Sequence, residues 1–218
     1  MFTLIGKYII RKVLAFNGFD CAVIAASHVE VPDKIDWVLK VYLTARSCDF
    51  QVRLFKLLAY APNVLHLKEF FEWDKGILKY PVLVFPFVPG KNNIIPSAES
   101  PHFFPYFQGL MKAIIAMHAQ CVIHCDICPR NVIYNTANKT VTLIDLELAV
   151  IIDGNDEGDP WVDRSMVMRI VFNSPHLKFD MRRCWYYHDV WAIGVMYIMA
   201  LTRNFEIMDD VDSQENPR

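Results

Sequence analysis

Residues 121–135, C-V-I-H-C-D-I-C-P-R-N-V-I-Y-N, with V-T-L-I-D-L-E at 141–147 after a turn, decide how this chain is read. Apolar Val122 and Ile123 lead into His124, Cys125 and Asp126, and Asn131 lies five positions beyond that aspartate. A second apolar run, Val141 to Ile144, delivers Asp145. Polar groups thus stand at the ends of short β-like segments, in an order suited to phosphoryl transfer. Asp126 can accept a hydroxyl proton, while the Asn131 amide and the Asp145 carboxylate can hold Mg²⁺ on a nucleotide.

Composition narrows the field around that stretch. With 218 residues and 54% hydrophobic content, the chain can bury one or two ordinary cores. A net charge of −2 argues against a nucleic-acid role driven by phosphate neutralisation. Six cysteines in a chain of this length do not make a disulfide scaffold. The opening M-F-T-L-I-G-K-Y-I-I-R-K is broken by Lys7, Arg11 and Lys12, so it does not read as a secretory leader. The longest apolar run, Val190 to Leu201, falls short of the roughly 20 residues a bilayer span needs. A soluble, intracellular protein is expected, with no membrane and no direct nucleic-acid partner.

The order Asp126…Asn131…Asp145 resembles the catalytic loop and metal-binding aspartate of protein kinases, and other segments extend the likeness. Residues 8–26 read as a hairpin. Aligned on Val23, they put Phe16, Gly18 and Cys21 where a kinase phosphate loop has its glycines, so one of three survives. The W-V-L-K-V-Y-L run at 37–43 is a β-branched and aromatic strand. The resemblance makes Lys40 the lysine that holds the α and β phosphates, with Val38 beside it against the nucleotide. Residues 50–58 have helical apolar spacing and end before A-P-N-V, which places Gln51 where kinases carry the lysine's glutamate partner. An amide can hydrogen-bond an ammonium but cannot neutralise it.

P-V-L-V-F-P-F-V-P-G at 81–90 reads as a buried strand running into a linker. In kinase terms Phe85 is the gatekeeper, and Pro86 and Val88 offer backbone groups to an adenine edge. Proline after the gatekeeper resembles the replication-origin kinase family of cell division control protein seven, as does the F-E-I-M-D-D-V-D-S tail. A casein-kinase-two-like origin is the second choice. Phe103 to Ala119 has the periodicity of a long helix, and Ser174-Pro175-His176 stands where kinases have A-P-E. H-D-V-W-A-I-G supplies the Asp189, Trp191 and Gly194 of a D-x-W-x-x-G motif opening the central helix. The end of the chain leaves no sequence for the last helices of a usual kinase.

The fold this implies is the two-lobed α+β protein-kinase architecture. A β-rich N-lobe would span residues 1–88 and a shortened helical C-lobe residues 89–218. The implied function is an ATP-dependent serine/threonine protein kinase, using Mg²⁺ or Mn²⁺, of the cell-division type and nuclear. The roles carried over are Asp126 and Lys40 in catalysis, and Asn131 and Asp145 on the metal. Phe16, Gly18, Val23, Val38, Lys40, Phe85, Pro86, Val88 and Asn131 would line the nucleotide. Departures from the pattern keep a pseudokinase, a binding module retaining the fold, open beside it. They are Gln51, Cys125 for an arginine, Cys128 for a lysine, Glu147 for a glycine and His176 for a glutamate. The cluster His118, Cys121, His124, Cys125, Cys128 also leaves a zinc or redox site open. The Val190–Leu201 run is apolar almost all round, the pattern of a helix buried on every side, and without later helices it is expected to leave an apolar surface for a partner to cover. Partners implied are ATP, a protein substrate, and an activating regulatory subunit or a second copy.

Overall fold

The structure, a computed structural model, describes residues 3–17, 21–43, 48–152, 157–158 and 186–204. The chain divides into two compact units, one of Met1–Tyr60 with Leu65–Val88 and one of Ala61–Val64 with Pro89–Arg218.

The first unit is built on a six-stranded sheet, all of whose pairings are antiparallel. Its strands are β1 (Leu4–Ile5), β2 (Tyr8–Asn17), β3 (Cys21–His28), β4 (Trp37–Tyr42), β5 (Glu69–Lys75) and β6 (Leu78–Pro86), in the order β1-β2-β3-β4-β6-β5. Alternation along the central strands sends residues to two faces. Ile24, Leu39, Val41, Val82 and Val84 enter one apolar core together with Ile5, Tyr8 and Ala26. Tyr8 stacks on Phe71, and its hydroxyl donates to Glu69 at 2.6 Å, while Lys7 holds the other carboxylate oxygen at 2.9 Å.

The opposite face carries Val23, Lys40 and Leu83 in one row and Ala25, Val38 and Phe85 in the next. The helix α1 (Cys48–Leu57) buries Cys48, Gln51, Leu54 and Phe55, a stripe at helical spacing. Phe55 meets Phe85 edge-on, with ring centroids 4.9 Å apart.

The second unit contains α2 (Phe103–His118), β7 (Val122–Ile123), a 3-10 turn over Pro129–Asn131, β8 (Val132–Asn135) and β9 (Thr140–Leu143). It continues with β10 (Val150–Ile151), β11 (Glu157–Gly158) and α3 (Tyr186–Thr202). β8 and β9 form a hairpin, and β10 lies between β7 and β11. The closeness of α2 to β9 depends on Gly109, since a Cβ there would stand 2.8 Å from Val141 Cβ. Gly90 has a φ of +153°, and a Cβ on it would meet the Tyr134 carbonyl oxygen at 2.8 Å. Next to it, Lys91 and Tyr134 exchange backbone hydrogen bonds at 3.0 and 2.9 Å.

The helix α3 is apolar around most of its circumference and is covered on one side. It buries His188, Asp189, Ala192, Ile193, Met196, Met199 and Ala200, whereas Val190, Trp191, Ile198 and Leu201 face outward, Ile198 at 60% exposure. Its packing against α2 covers one stripe, so an apolar circumference is met by burial on one side alone. Among the described residues no helix is long and apolar enough to cross a membrane.

Candidate active site

The loop between β7 and β8 hangs on one buried carboxylate. Asp189, in the first turn of α3, has a side chain with no solvent exposure. Its Oδ2 accepts the His124 backbone N–H at 3.0 Å, and its Oδ1 accepts that of Cys125 at 3.0 Å. His118, at the end of α2, donates its Nε2–H to Oδ2 at 2.8 Å. A buried charge persists only when its lone pairs are used, and here three donors use them. Cys125 itself has φ +63°, a left-handed backbone costly for a residue with a Cβ, and the two N–H bonds to Asp189 hold it there.

His124 then ties the loop to the strand that delivers Asp145. Its Nδ1 accepts the Asp126 backbone N–H at 3.2 Å, which leaves Nε2 to carry the proton donated to the Ile144 carbonyl at 3.1 Å. The Ile144 N–H in turn donates to the Asn131 carbonyl at 2.9 Å. Asp145, with φ +63°, is the second strained position, and backbone strain of this kind collects where a side chain must be aimed.

Asn131 fixes Asp126. Its Nδ2 donates both to the Asp126 carbonyl and to Asp126 Oδ2, each at 2.8 Å. With both amide hydrogens spent on one residue, the Asn131 Oδ1 is left as an acceptor. A hard oxygen there and the Asp145 carboxylate are ligands that suit Mg²⁺. Burial pushes the Asp126 carboxyl up from its ordinary value, and the Asp145 charge pushes the same way. The Arg130 charge and the Asn131 hydrogen bond oppose it. An elevated carboxyl is the direction a proton acceptor for a hydroxyl requires.

Cys128 is buried, and that burial, with Asp126 beside it, pushes its thiol up to about 12. It therefore brings no charge to the position. Cys121 is an exposed free thiol, whereas Cys125 is disulfide-bonded. His124 already uses both ring nitrogens, and among the described residues no three His, Cys, Asp or Glu side chains form a metal-binding group.

The first unit places Lys40 on β4 opposite Val23 and Leu83, with Val38 and Phe85 on the same face. Gln51 is 1% exposed on α1. Pro86 ends β6, exposed, and Val88 follows it half-buried. Phe16 is not brought to the Lys40 face: its partner is Ala22, which pairs with Val41 on the side of the apolar core. Gly18, Ser174 and His176 lie outside the described residues.

Sequence reasoning used Asp189 only as a motif marker and gave His118 and His124 no positioning role. The signal was available, because an aspartate at the start of an apolar helix needs a buried partner.

The protein kinase domain family matches residues 46–217. The chain is 27% identical over 154 residues to mitogen-activated protein kinase sma-5 of Caenorhabditis elegans, covering 66% of this chain and 30% of that protein. It is 25% identical over 149 residues to casein kinase II subunit alpha' of Saccharomyces cerevisiae, covering 67% of this chain and 42% of the relative. The chain thus spans less than half the length of these curated relatives. The structure of the Cydia pomonella granulovirus kinase PK-1 is similar with a TM-score of 0.66 and 17% identity, over 91% of this chain and 72% of that one. That likeness is one of fold, the two-lobed α+β protein-kinase architecture with its β-rich first lobe. With the family match running from ahead of α1 to beyond α3, the chain belongs to the protein kinase domain family.

Proposed function

We propose that the chain is an ATP-dependent protein kinase that transfers the γ-phosphoryl group to serine or threonine hydroxyls. The observation that carries this reading is the clamp of Asn131 Nδ2 on Asp126 at 2.8 Å to both carbonyl and carboxylate. It leaves Asp126 Oδ1 to receive a hydroxyl, and Asn131 Oδ1 with Asp145 to hold Mg²⁺. Bound Mg²⁺ would neutralise charge on the nucleotide phosphates. Lys40 would bind the phosphates, with Val23, Val38 and Phe85 against the nucleotide and the backbone groups of Pro86 and Val88 on its adenine edge. Serine/threonine preference rests on the two distant relatives.

The cell-division-type assignment rests on Pro86 and the acidic tail, and with it come a nuclear setting and an activating subunit or second copy. The outward-facing apolar side chains of α3 are a surface such a partner would cover.

The test is transfer of radiolabelled phosphate to an acidic serine peptide with Mg²⁺ or Mn²⁺. Asp126→Asn should abolish transfer yet keep the rise in melting temperature that Mg²⁺-ATP gives, and Asp145→Asn should erase most of that rise. A second reading, a pseudokinase, is favoured by Gln51, whose buried amide stands in a position the fold fills with a carboxylate. It predicts the melting shift without transfer.

A further inference from the structure

We propose that Cys125 and Cys184 form a reversible disulfide, a redox modification site that latches the catalytic loop to the start of α3. Only its effect on phosphoryl transfer rests on the kinase reading above.

The cysteines divide unevenly. Cys21, Cys48, Cys121 and Cys128 are free thiols, whereas Cys125 is disulfide-bonded. The sequence holds one more cysteine, Cys184, outside the described residues. Within one chain it is the remaining partner. Tyr186, the first residue of α3, packs against the cluster of Ile123, Cys125 and Val150. Its ring meets that of His118 edge-on, with centroids 4.7 Å apart. Two residues of chain span at most about 7 Å, and a disulfide needs Cα atoms about 4.4–6.8 Å apart. Cys184, two positions ahead of Tyr186, is therefore within reach of Cys125.

The bond falls on a junction that is otherwise held by polar contacts. Just past Tyr186, Asp189 accepts the backbone N–H groups of His124 and Cys125, each at 3.0 Å. Those hydrogen bonds and the disulfide secure the same contact, between the loop that carries Asp126 and the first turn of α3. The residue type at position 125 then has a reason. Where the resembling kinases carry an arginine, a cysteine gives up a charge and gains a covalent tie. Free thiols at Cys21, Cys48, Cys121 and Cys128 show that this is no oxidised scaffold. A bond in such company is of the kind that opens and closes with its redox surroundings.

Closing it needs a two-electron oxidant, and a low-molecular-weight disulfide of the glutathione class supplies one. The Cys184 thiolate attacks that disulfide, and the first small thiol leaves. Cys125, at 7% exposure, is too covered to meet the small disulfide itself. It makes the second attack, on the Cys184 sulfur of the mixed disulfide, and the second small thiol leaves. Two protein thiols thus lose two protons and two electrons, and the small disulfide departs as two thiols. In the oxidised chain the junction is covalent. In the reduced chain it rests on Asp189 and packing.

The experiment uses the full chain, equilibrated against reduced and oxidised glutathione over a range of ratios. Peptide mapping by mass spectrometry without reductant should find the Cys125 peptide joined to the Cys184 peptide, in a fraction that rises as the ratio becomes more oxidising. The oxidised chain should melt roughly 5–15 °C above the reduced one, because the bond closes a loop of roughly 60 residues. Cys184→Ser should melt like reduced wild type under both conditions, and Cys121→Ser should respond like wild type. In transfer to a serine peptide, Asp189→Asn should lose about tenfold more activity when reduced than when oxidised, since the covalent tie remains in the oxidised chain alone. Cys125 joined to another cysteine, or found as a thiol at every ratio, overturns the inference. So does a bond that no ratio opens, or an Asp189→Asn loss that is the same in both states. The two redox states of wild type need no variant, so they decide the matter even where Cys184→Ser fails to fold. A wild type that binds Mg²⁺-ATP and transfers in neither state overturns the kinase reading alone, and mapping and melting then decide the bond.

Discussion

Replacing Asp189 with alanine should uncouple the second unit from its own loop. The substitution removes a fully buried carboxylate that accepts His124 N–H and Cys125 N–H at 3.0 Å and the His118 ring at 2.8 Å. Two backbone donors then remain buried without partners, at about 1–3 kcal/mol each. The His118 bond is lost as well, although that ring is partly exposed and water can replace the carboxylate. The total is on the order of 3–6 kcal/mol, a large share of the roughly 5–15 kcal/mol that holds an ordinary domain together. For a chain of this size that corresponds to a fall in Tm of roughly 10–20 °C.

Asp189→Asn keeps one acceptor oxygen but sets an amide N–H₂ against the other donor, so it should cost about half as much. Urea unfolding followed by tryptophan fluorescence measures both variants against wild type. The left-handed φ of +63° at Cys125 is held by the same bonds, so Asp189→Asn should also lose phosphoryl transfer well below its unfolding temperature. If Asp189→Ala unfolds within about 1 kcal/mol of wild type, the reasoning from buried, unpaired donors is wrong.

Three further outcomes follow from the same geometry. Burial holds the Asp126 carboxyl above its ordinary value of 3.8. Its contribution to stability is therefore fully present below about pH 3.8 and is lost as pH rises through the elevated folded value. Asp126→Asn should accordingly melt at or above wild type at neutral pH, with the difference shrinking on acidification, and a variant less stable at pH 7 than at pH 4 relative to wild type would contradict this. Gly109→Ala forces a methyl to 2.8 Å from Val141 Cβ and should lose about 1–3 kcal/mol, part of it recovered by Val141→Ala, as read from denaturation curves. Iodoacetamide at pH 7.5 should label exposed Cys121 and spare Cys128, whose buried thiol is pushed up to about 12, and mass spectrometry showing equal labelling would refute that placement.

What could be read from the sequence, and what could not, divides along a physical line. Strand β4 and helices α1 and α2 announce themselves, because each alternates or repeats with the period of its element and ends at a turn signal. The side chains that would touch the reaction are also legible, since a polar residue set beside a short apolar run needs a reason to be there. Asp126 and Asp145 are of this kind, and Asn131 is marked by its place five positions beyond Asp126. Spacing alone did not show which face the Phe16 side chain takes. Seven positions separate it from Val23, and its register partner is Ala22, one residue short of Val23 and on the other face. Distance along a chain does not say which side of a sheet a residue takes.

The helix α3 makes a related point. A period can show which residues are apolar, but only the neighbours decide which of them are covered, and α3 buries the Asp189–Ala192–Ile193–Met196 stripe. The positioning residues were hidden more deeply. His118, His124 and Asp189 sit inside apolar stretches, where a polar letter reads as an interruption. Their meaning lies in a pairing across 71 residues of chain between a helix end and a helix start. A buried polar group implies a partner even when the sequence does not name it, and here the partner of Asp189 is the backbone of the catalytic loop itself. A carboxylate that binds backbone N–H groups places no demand on the identity of the residues it holds. Cysteine can therefore occupy position 125 without disturbing the loop, and the departures that set this chain apart in sequence need not displace Asp126.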